Sequence, residues 1–211
     1  MEIVLATKNK DKIREISQIL GRGRFETCPY TFSSLLDYPE IPEIIEDGKT
    51  LVENALKKAR TVTASTGKIA LADDSGLEID ALQGRPGVYS SRFARGVKFN
   101  APTYAQNVKK VLKLLKGIPP AKRKARFRCV VAIAKPARGD PTGRPYYVAE
   151  GSCLGHITEE PKGKGGFGYD PIFVPKGFKK TFAEFSPLTK NRISHRAKAL
   201  RKAKKILQKM Q

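Results

Sequence analysis

The apolar positions of this chain switch repeatedly between a two-residue and a three-to-four-residue period, which predicts alternating strands and helices. A first strand is expected over 2–6, where Ile3, Val4, Leu5 and Ala6 run together. A polar turn follows. Helical spacing then takes over at Ile13, Ile16, Ile19 and Leu20, with Asn9 placed to cap the start and Gly21 and Gly23 to end it. A second helix is expected from Thr50, because Thr50-Leu51-Val52-Glu53 fits a capping box. Leu51, Ala55, Ala59 and Val62 form its buried stripe, and Thr66-Gly67 stops it.

Ile69-Ala70-Leu71-Ala72 then reads as a short buried strand, and 77–82 alternates as a second, half-exposed one. Another capping box, Thr103-Tyr104-Ala105-Gln106, opens a helix whose stripe is Val108, Val111, Leu112 and Leu115; Gly117, Pro119 and Pro120 close it. Strands are predicted over 126–135 and 146–158, paired across the turn at 139–143, and this hairpin is expected to form a second lobe. A last helix begins near Ser194, with Ala197, Leu200, Ala203 and Leu207 on its apolar side. Helices and strands in alternation argue an α/β fold with a mixed sheet.

The 211 residues suit one domain with two lobes, 1–211 in extent. Cys28, Cys129 and Cys153 are odd in number and far apart, so neither a disulfide framework nor a zinc site is expected. The N-terminal apolar run is short and carries Glu2 where a secretory signal carries bases, and no stretch nears the ~20 apolar residues of a membrane span. A cytoplasmic protein without a membrane partner is expected. The net charge of +21 fits nucleic acid binding, or a solvated basic surface on an enzyme for polyanions. The second is favoured, since no nucleic-acid-binding motif accompanies the charge.

Five segments carry candidate chemistry. Thr7-Lys8-Asn9-Lys10-Asp11-Lys12 joins a strand to a helix N-terminus, where backbone N–H groups and lysines suit phosphate, though an ordinary basic turn has the same composition. Asp73-Asp74-Ser75-Gly76 closes a predicted strand; paired carboxylates repel, which suits a cation beside them, against the reading of a polar turn. Glu46-Asp47 precedes a helix, where the dipole alone accounts for acids. Gly163, Gly165 and Gly168 spell a dinucleotide pattern, but Pro171 and an apolar run follow instead of a helix. A tight loop is the better reading, with Phe167 and Tyr169 available to stack on a base. Lys190, His195 and Arg196 place cations in or before a first helical turn, which is tolerable beside an anion.

Taken together, these blocks resemble the inosine/xanthosine triphosphate pyrophosphatases, the HAM1-like enzymes. The matching stretches are Leu5-Ala6-Thr7-x-Asn9-x-x-Lys12, Glu46-x-Gly48-x-Thr50-x-x-Glu53-Asn54-Ala55, Ala72-Asp73-Asp74-Ser75-Gly76-Leu77, Gly165 to Pro171, and Ile193-Ser194-His195-Arg196; Pro86 to Arg92 also fits. The resemblance implies an elongated, two-lobed α/β mixed sheet with flanking helices and a central nucleotide cleft, in a homodimer. It implies hydrolysis of ITP, dITP, XTP and dXTP to the monophosphate and pyrophosphate, with magnesium held by Glu46 and Asp74, and Asp74 as the base. Thr7, Lys8, Asn9, Lys10, Asp11, Lys12, Ser75, Lys190, His195 and Arg196 match nucleotide-contacting positions. Phe167, Gly168, Tyr169 and Asp170 match the base-side loop, and Lys58 is a weaker phosphate candidate. Adenine presents a donor where the C6 oxo group of inosine presents an acceptor, and an unpaired buried donor costs about 1–3 kcal/mol.

Overall fold

The computed structural model of the protein describes residues 1–21, 29–94, 102–136 and 146–210. Gly23, Cys28 and the turn at 139–143 lie outside them. The described chain forms β1 (Glu2–Leu5), α1 (Lys10–Gly21), β2 (Thr31–Ser34), α2 (Leu51–Thr66), β3 (Ile69–Ile79), α3 (Tyr104–Leu114), β4 (Lys124–Ala134), β5 (Tyr146–Ile157), β6 (Phe173–Pro175), α4 (Pro187–Ile193) and α5 (His195–Gln208). One six-stranded sheet has the order β2-β1-β3-β4-β5-β6. β1 is parallel to both β2 and β3, and β5 is antiparallel to β6, so the sheet is mixed.

The chain divides into two compact units. The first comprises Met1–Asp74, Cys129–Gly151 and Arg196–Gln211; the second comprises Ser75–Arg128 and Ser152–His195. The core of the first gathers Ile3 and Leu5 of β1, Ile16 and Leu20 of α1, Leu71 of β3, Val131 and Ile133 of β4, and Leu200, Ala203 and Leu207 of α5. The helical spacings 16/20 and 200/203/207 are what bring those apolar residues onto one face. The core of the second gathers Leu77 and Ile79 of β3, Val108, Val111 and Leu115 around α3, Phe127 of β4, Ile157 of β5, Phe173 of β6 and Phe182.

Two expectations are corrected. The expected 69–72 strand and the 77–79 part of the 77–82 strand are one strand, β3, with Asp73-Asp74 in its middle rather than at an end, and Asp80–Leu82 is a short 3-10 turn. The first half of β3 is buried without alternation and the stretch after Gly76 alternates, so the two halves read as different strands and Ser75-Gly76 reads falsely as a break between them. Gly76 serves close packing instead: a Cβ there would meet the Gly87 carbonyl oxygen at 2.5 Å. The 126–158 hairpin does not make a lobe of its own, because β4 and β5 are each shared between the two units. The last helix begins at His195, as expected, and a separate short helix that was not expected, α4, precedes it; Ser186 caps α4 by accepting from the Thr189 N–H.

Candidate active site

The strand–turn–helix opening is built by its own side chains. Asn9 Oδ1 accepts from the N–H groups of Asp11 (2.9 Å) and Lys12 (3.1 Å), and Thr7 Oγ1 accepts from Asn9 N–H (3.1 Å). Asn9 is therefore the cap expected of it. The free N–H groups expected of this turn are correspondingly fewer, since those of Asn9, Asp11 and Lys12 are already bonded. Lys8 and Lys10 are exposed, and Lys12 turns inward.

Lys12 Nζ lies 3.0 Å from Asp73 Oδ1. The other oxygen of that carboxylate receives Nε and Nη2 of Arg196, both at 3.1 Å, and Arg196 Nη1 donates to Glu15 Oε2 at 2.6 Å. This answers the question raised by a cation in the first turn of α5: protein carboxylates sit beside it. Asp73 and Arg196 are both buried. Burial pushes the Asp73 carboxyl up, but the charges of Lys12, Arg196 and Lys58 outweigh it and hold the group far below the usual carboxylate range. Burial lowers Arg196, and Asp73 and Glu15 more than reverse that.

The neighbouring carboxylate behaves in the opposite way. Burial raises Asp74, and Glu46 adds to the rise, while Lys58, Lys12 and the Asn54 amide pull against it; the net shift is upward. Asn54 Nδ2 donates to Asp74 Oδ2 at 3.2 Å. Lys58 Nζ is a convergence point: it reaches Glu46 Oε1 at 2.6 Å, the Asp73 carbonyl at 2.7 Å and Asp74 Oδ1 at 3.5 Å. Desolvation works against the Lys58 charge, yet Asp74, Glu46 and Asp73 together raise it above its ordinary value. Within the first unit, the structure thus brings together Lys12, Glu46, Lys58, Asp73, Asp74 and Arg196.

The second unit holds the remaining sequence candidates. Gly166 is in the left-handed region at φ 69°, and a Cβ there would strike the Asp170 carboxylate at 2.1 Å, so the loop turns tightly around Asp170. That carboxylate accepts from Phe167 N–H at 2.8 Å and is ion-paired to the buried Lys190, whose Nζ also lies 4.8 Å above the Phe167 ring. His195 stacks on Phe127 with centroids 4.5 Å apart and planes 9° from parallel. Gly168 and Ser75 are half-buried. Tyr169 corrects its expected role in stacking: it is only 4% exposed, and its hydroxyl donates to the Ser90 carbonyl at 2.8 Å. A ring fixed in the core by its own polar end is not a platform, and Phe167, half-buried, is the more open of the two.

Sequence reasoning missed Asn54 and Glu15 and undervalued Lys58. A signal was present. Asn54 and Lys58 stand one turn apart among Leu51, Ala55, Ala59 and Val62, so an amide and an ammonium sit on the buried stripe of α2. Glu15 lies one turn beyond Lys12 on α1. Among the described residues, no group of three or more His, Cys, Asp or Glu is arranged to hold a metal. Cys129 and Cys153 are buried and unbridged. No described helix is long and apolar enough to cross a membrane.

Comparison with known proteins adds the following. The sequence profile of the Ham1 family matches residues 3–206. The chain is 50% identical over 210 residues to a dITP/XTP pyrophosphatase of Desulforamulus reducens, covering 100% of this chain and 97% of that one. It is 49% identical over 207 residues to the enzyme of that name from Shouchella clausii, covering 98% and 96%. Among solved structures, it is similar to a HAM1 protein from Coxiella burnetii (TM-score 0.83, 40% identity, 99% of each chain) and to the Staphylococcus aureus Ham1 protein (TM-score 0.81, 32% identity, 100% of each chain).

Proposed function

Because the chain belongs to the Ham1 family, we propose that it hydrolyses non-standard purine nucleoside triphosphates such as dITP and XTP to the monophosphate and pyrophosphate. The observation that carries the reading is the divergence of two adjacent carboxylates. Asp73 is locked as an anion by Lys12 and Arg196, whereas Asp74 is pushed upward by burial and Glu46. Neighbouring acids whose environments separate their proton affinities mark a structural anion and a working base. Asp74 is the base in this reading, accepting the proton of the attacking water, and Asn54 orients its carboxylate.

Charge balance supports a divalent cation. Three cations (Lys12, Lys58, Arg196) meet four carboxylates (Glu15, Glu46, Asp73, Asp74) in the first unit, a net of −1. A triphosphate is not drawn to that sum unaided. The atoms that accept from Lys58 Nζ are all oxygens, the ligand type a hard ion such as Mg²⁺ takes, and such an ion commonly uses only one or two protein carboxylates. Glu46 and Asp74 would hold it. When bound, it supplies charge neutralisation at the phosphates and polarises the bond under attack.

Ser75, Phe167, Gly168, Asp170, Lys190 and His195 are assigned to nucleotide contact on the family resemblance alone, as is the homodimer. A cytoplasmic location is the setting in which such a housekeeping activity acts on the nucleotide pool.

Steady-state kinetics on Asp74→Asn with dITP test the proposal. We expect kcat to fall by about 10²–10⁴-fold, the range typical of a lost general base, with KM within a few-fold of the parent. Turnover like that of the parent would reject Asp74 as the base. Chelation of divalent ions is expected to stop pyrophosphate release and to leave the thermal unfolding transition cooperative; full activity in excess chelator would reject the metal.

A further inference from the structure

We propose that a lysine ridge on the second unit, made by Lys109, Lys113 and Lys116 with Lys122 and Lys124, is a docking surface for the phosphodiester backbone of a single-stranded nucleic acid. The net charge is distributed unevenly. The first unit carries 21 Lys and Arg against 14 Asp and Glu, whereas the second carries 20 against six, a net of +14. Between Asp80 and Asp140 there are fifteen basic residues and no acid.

The ridge has a built geometry. Lys109, Lys113 and Lys116 are exposed at helical spacing along and just beyond α3, opposite the buried Val108, Val111 and Leu115. Arg123 is buried and clamps the end of that helix to the start of β4. Its Nη2 donates to the Leu115 carbonyl at 3.0 Å and its Nε to the Ile118 carbonyl at 2.8 Å. The exposed Lys122 and Lys124 are the chain neighbours of Arg123, at the point where it joins the end of the helix to the start of β4. Among the described residues, none of these five lysines is ion-paired.

A solvated face is the ordinary outcome for charge, so the alternatives need weighing. The helix dipole favours Lys113 and Lys116 at the end of α3. It does nothing for Lys109, Lys122 or Lys124. Like charges three and four residues apart on a helix are mutually destabilising, so an unpaired row opposes folding rather than supporting it. The apolar side of α3 is spent on the core, leaving no apolar face to enter a lipid surface. Nor does the ridge offer the dry apolar centre of a protein interface. Tyr104, at the head of the same helix, packs its ring on Phe167 with centroids 5.9 Å apart, on the side of Val108 and Val111, so the ridge itself offers charge alone, which is what a phosphodiester backbone takes.

The test uses the full chain and a fluorescein-labelled 20-nucleotide oligo-dT, followed by fluorescence anisotropy from 50 to 200 mM NaCl. Five phosphate contacts on a single strand predict a slope near −3.5 in log K against log salt, about a hundredfold loss over that range. Converting all five lysines to Gln is expected to weaken binding at 100 mM NaCl by about tenfold or more, while dITP hydrolysis, which reports that the variant is folded, stays at the parental rate. A milder variant, Lys109→Gln with Lys113→Gln and Lys116→Gln, is expected to lose an intermediate amount. The comparison variant neutralises the exposed Lys198, Arg201, Lys202 and Lys205 of α5 and Lys209 just after it. Unchanged binding in the ridge variants, an equal loss from the α5 variant, or capture by phosphatidylserine vesicles but not by oligo-dT would each overturn the proposal.

Discussion

Two residues side by side in β3 illustrate how environment divides chemically identical groups. Asp73 is surrounded by cations it needs, and they need it. Replacing it with Asn leaves Arg196 and Lys12 buried with less anion than they were built for, which is expected to cost about 3–5 kcal/mol of stability in urea titrations. Asp74→Asn removes a group whose ionised form burial disfavours, so its stability is expected to stay within about 1 kcal/mol of the parent or rise. The pH dependence follows from the direction of the Asp73 shift. Its folded proton affinity lies below the unfolded value, near ~3.9. Its contribution is therefore complete above that pH and is lost as the pH falls below it. Urea midpoints from pH 6 to pH 3 should show the parent falling more steeply than Asp73→Asn at the acid end. That two carboxylates matter was readable in the sequence, and the resemblance implied Asp74 as the base; that Asp73 is held as an anion was not readable. The division depends on Lys12, Lys58 and Arg196, which arrive from 61, 15 and 123 residues away along the chain.

At the level of elements, what was readable is what is local. Caps at Asn9, Thr50 and Thr103 use atoms within three residues, and all three are found, with a full reciprocal box at Thr103 and Gln106. At Thr50 the box departs from expectation: the Glu53 carboxylate accepts from Lys49 N–H, not from Thr50. α2 carries both Asn54 and Lys58, so its cap matters to the site. Thr50→Ala is expected to cost about 1 kcal/mol, a fall of roughly 2–4 °C in Tm for a chain of this size, measurable by calorimetry. β2, β6 and α4 escaped the sequence reading because three to seven residues carry too little periodicity to stand out. β3 was split because its continuous apolar first half and its alternating second half carry different patterns, with Ser75-Gly76 between them. The Gly76 contact gives a test: Gly76→Ala forces a methyl against the Gly87 carbonyl, and should destabilise the protein by about 1–3 kcal/mol.

For the whole molecule, the α/β class with a mixed sheet was legible from alternating periods, whereas the partition of β4 and β5 between two units was not. Hairpin pairing is a local matter, but the unit a strand segment joins is decided by distant packing partners such as α5 and α3. The site was legible as a set of segments, and the structure supplies the internal pairing of each: Lys12 and Arg196 with Asp73, Lys58 with Glu46 and Asp74, and Lys190 with Asp170. The family assignment turns these into an expected reaction. The proposed homodimer is open to sedimentation velocity, where a species near twice the 23.3 kDa chain mass is expected. The reaction itself is tested most directly by incubating the purified protein with dITP, XTP, dGTP and dATP and a divalent ion, and measuring pyrophosphate and orthophosphate separately. The account predicts pyrophosphate with an equal amount of monophosphate, and kcat/KM for dITP at least about tenfold above that for dATP. Orthophosphate release in place of pyrophosphate, or equal turnover of dITP and dATP, would contradict it.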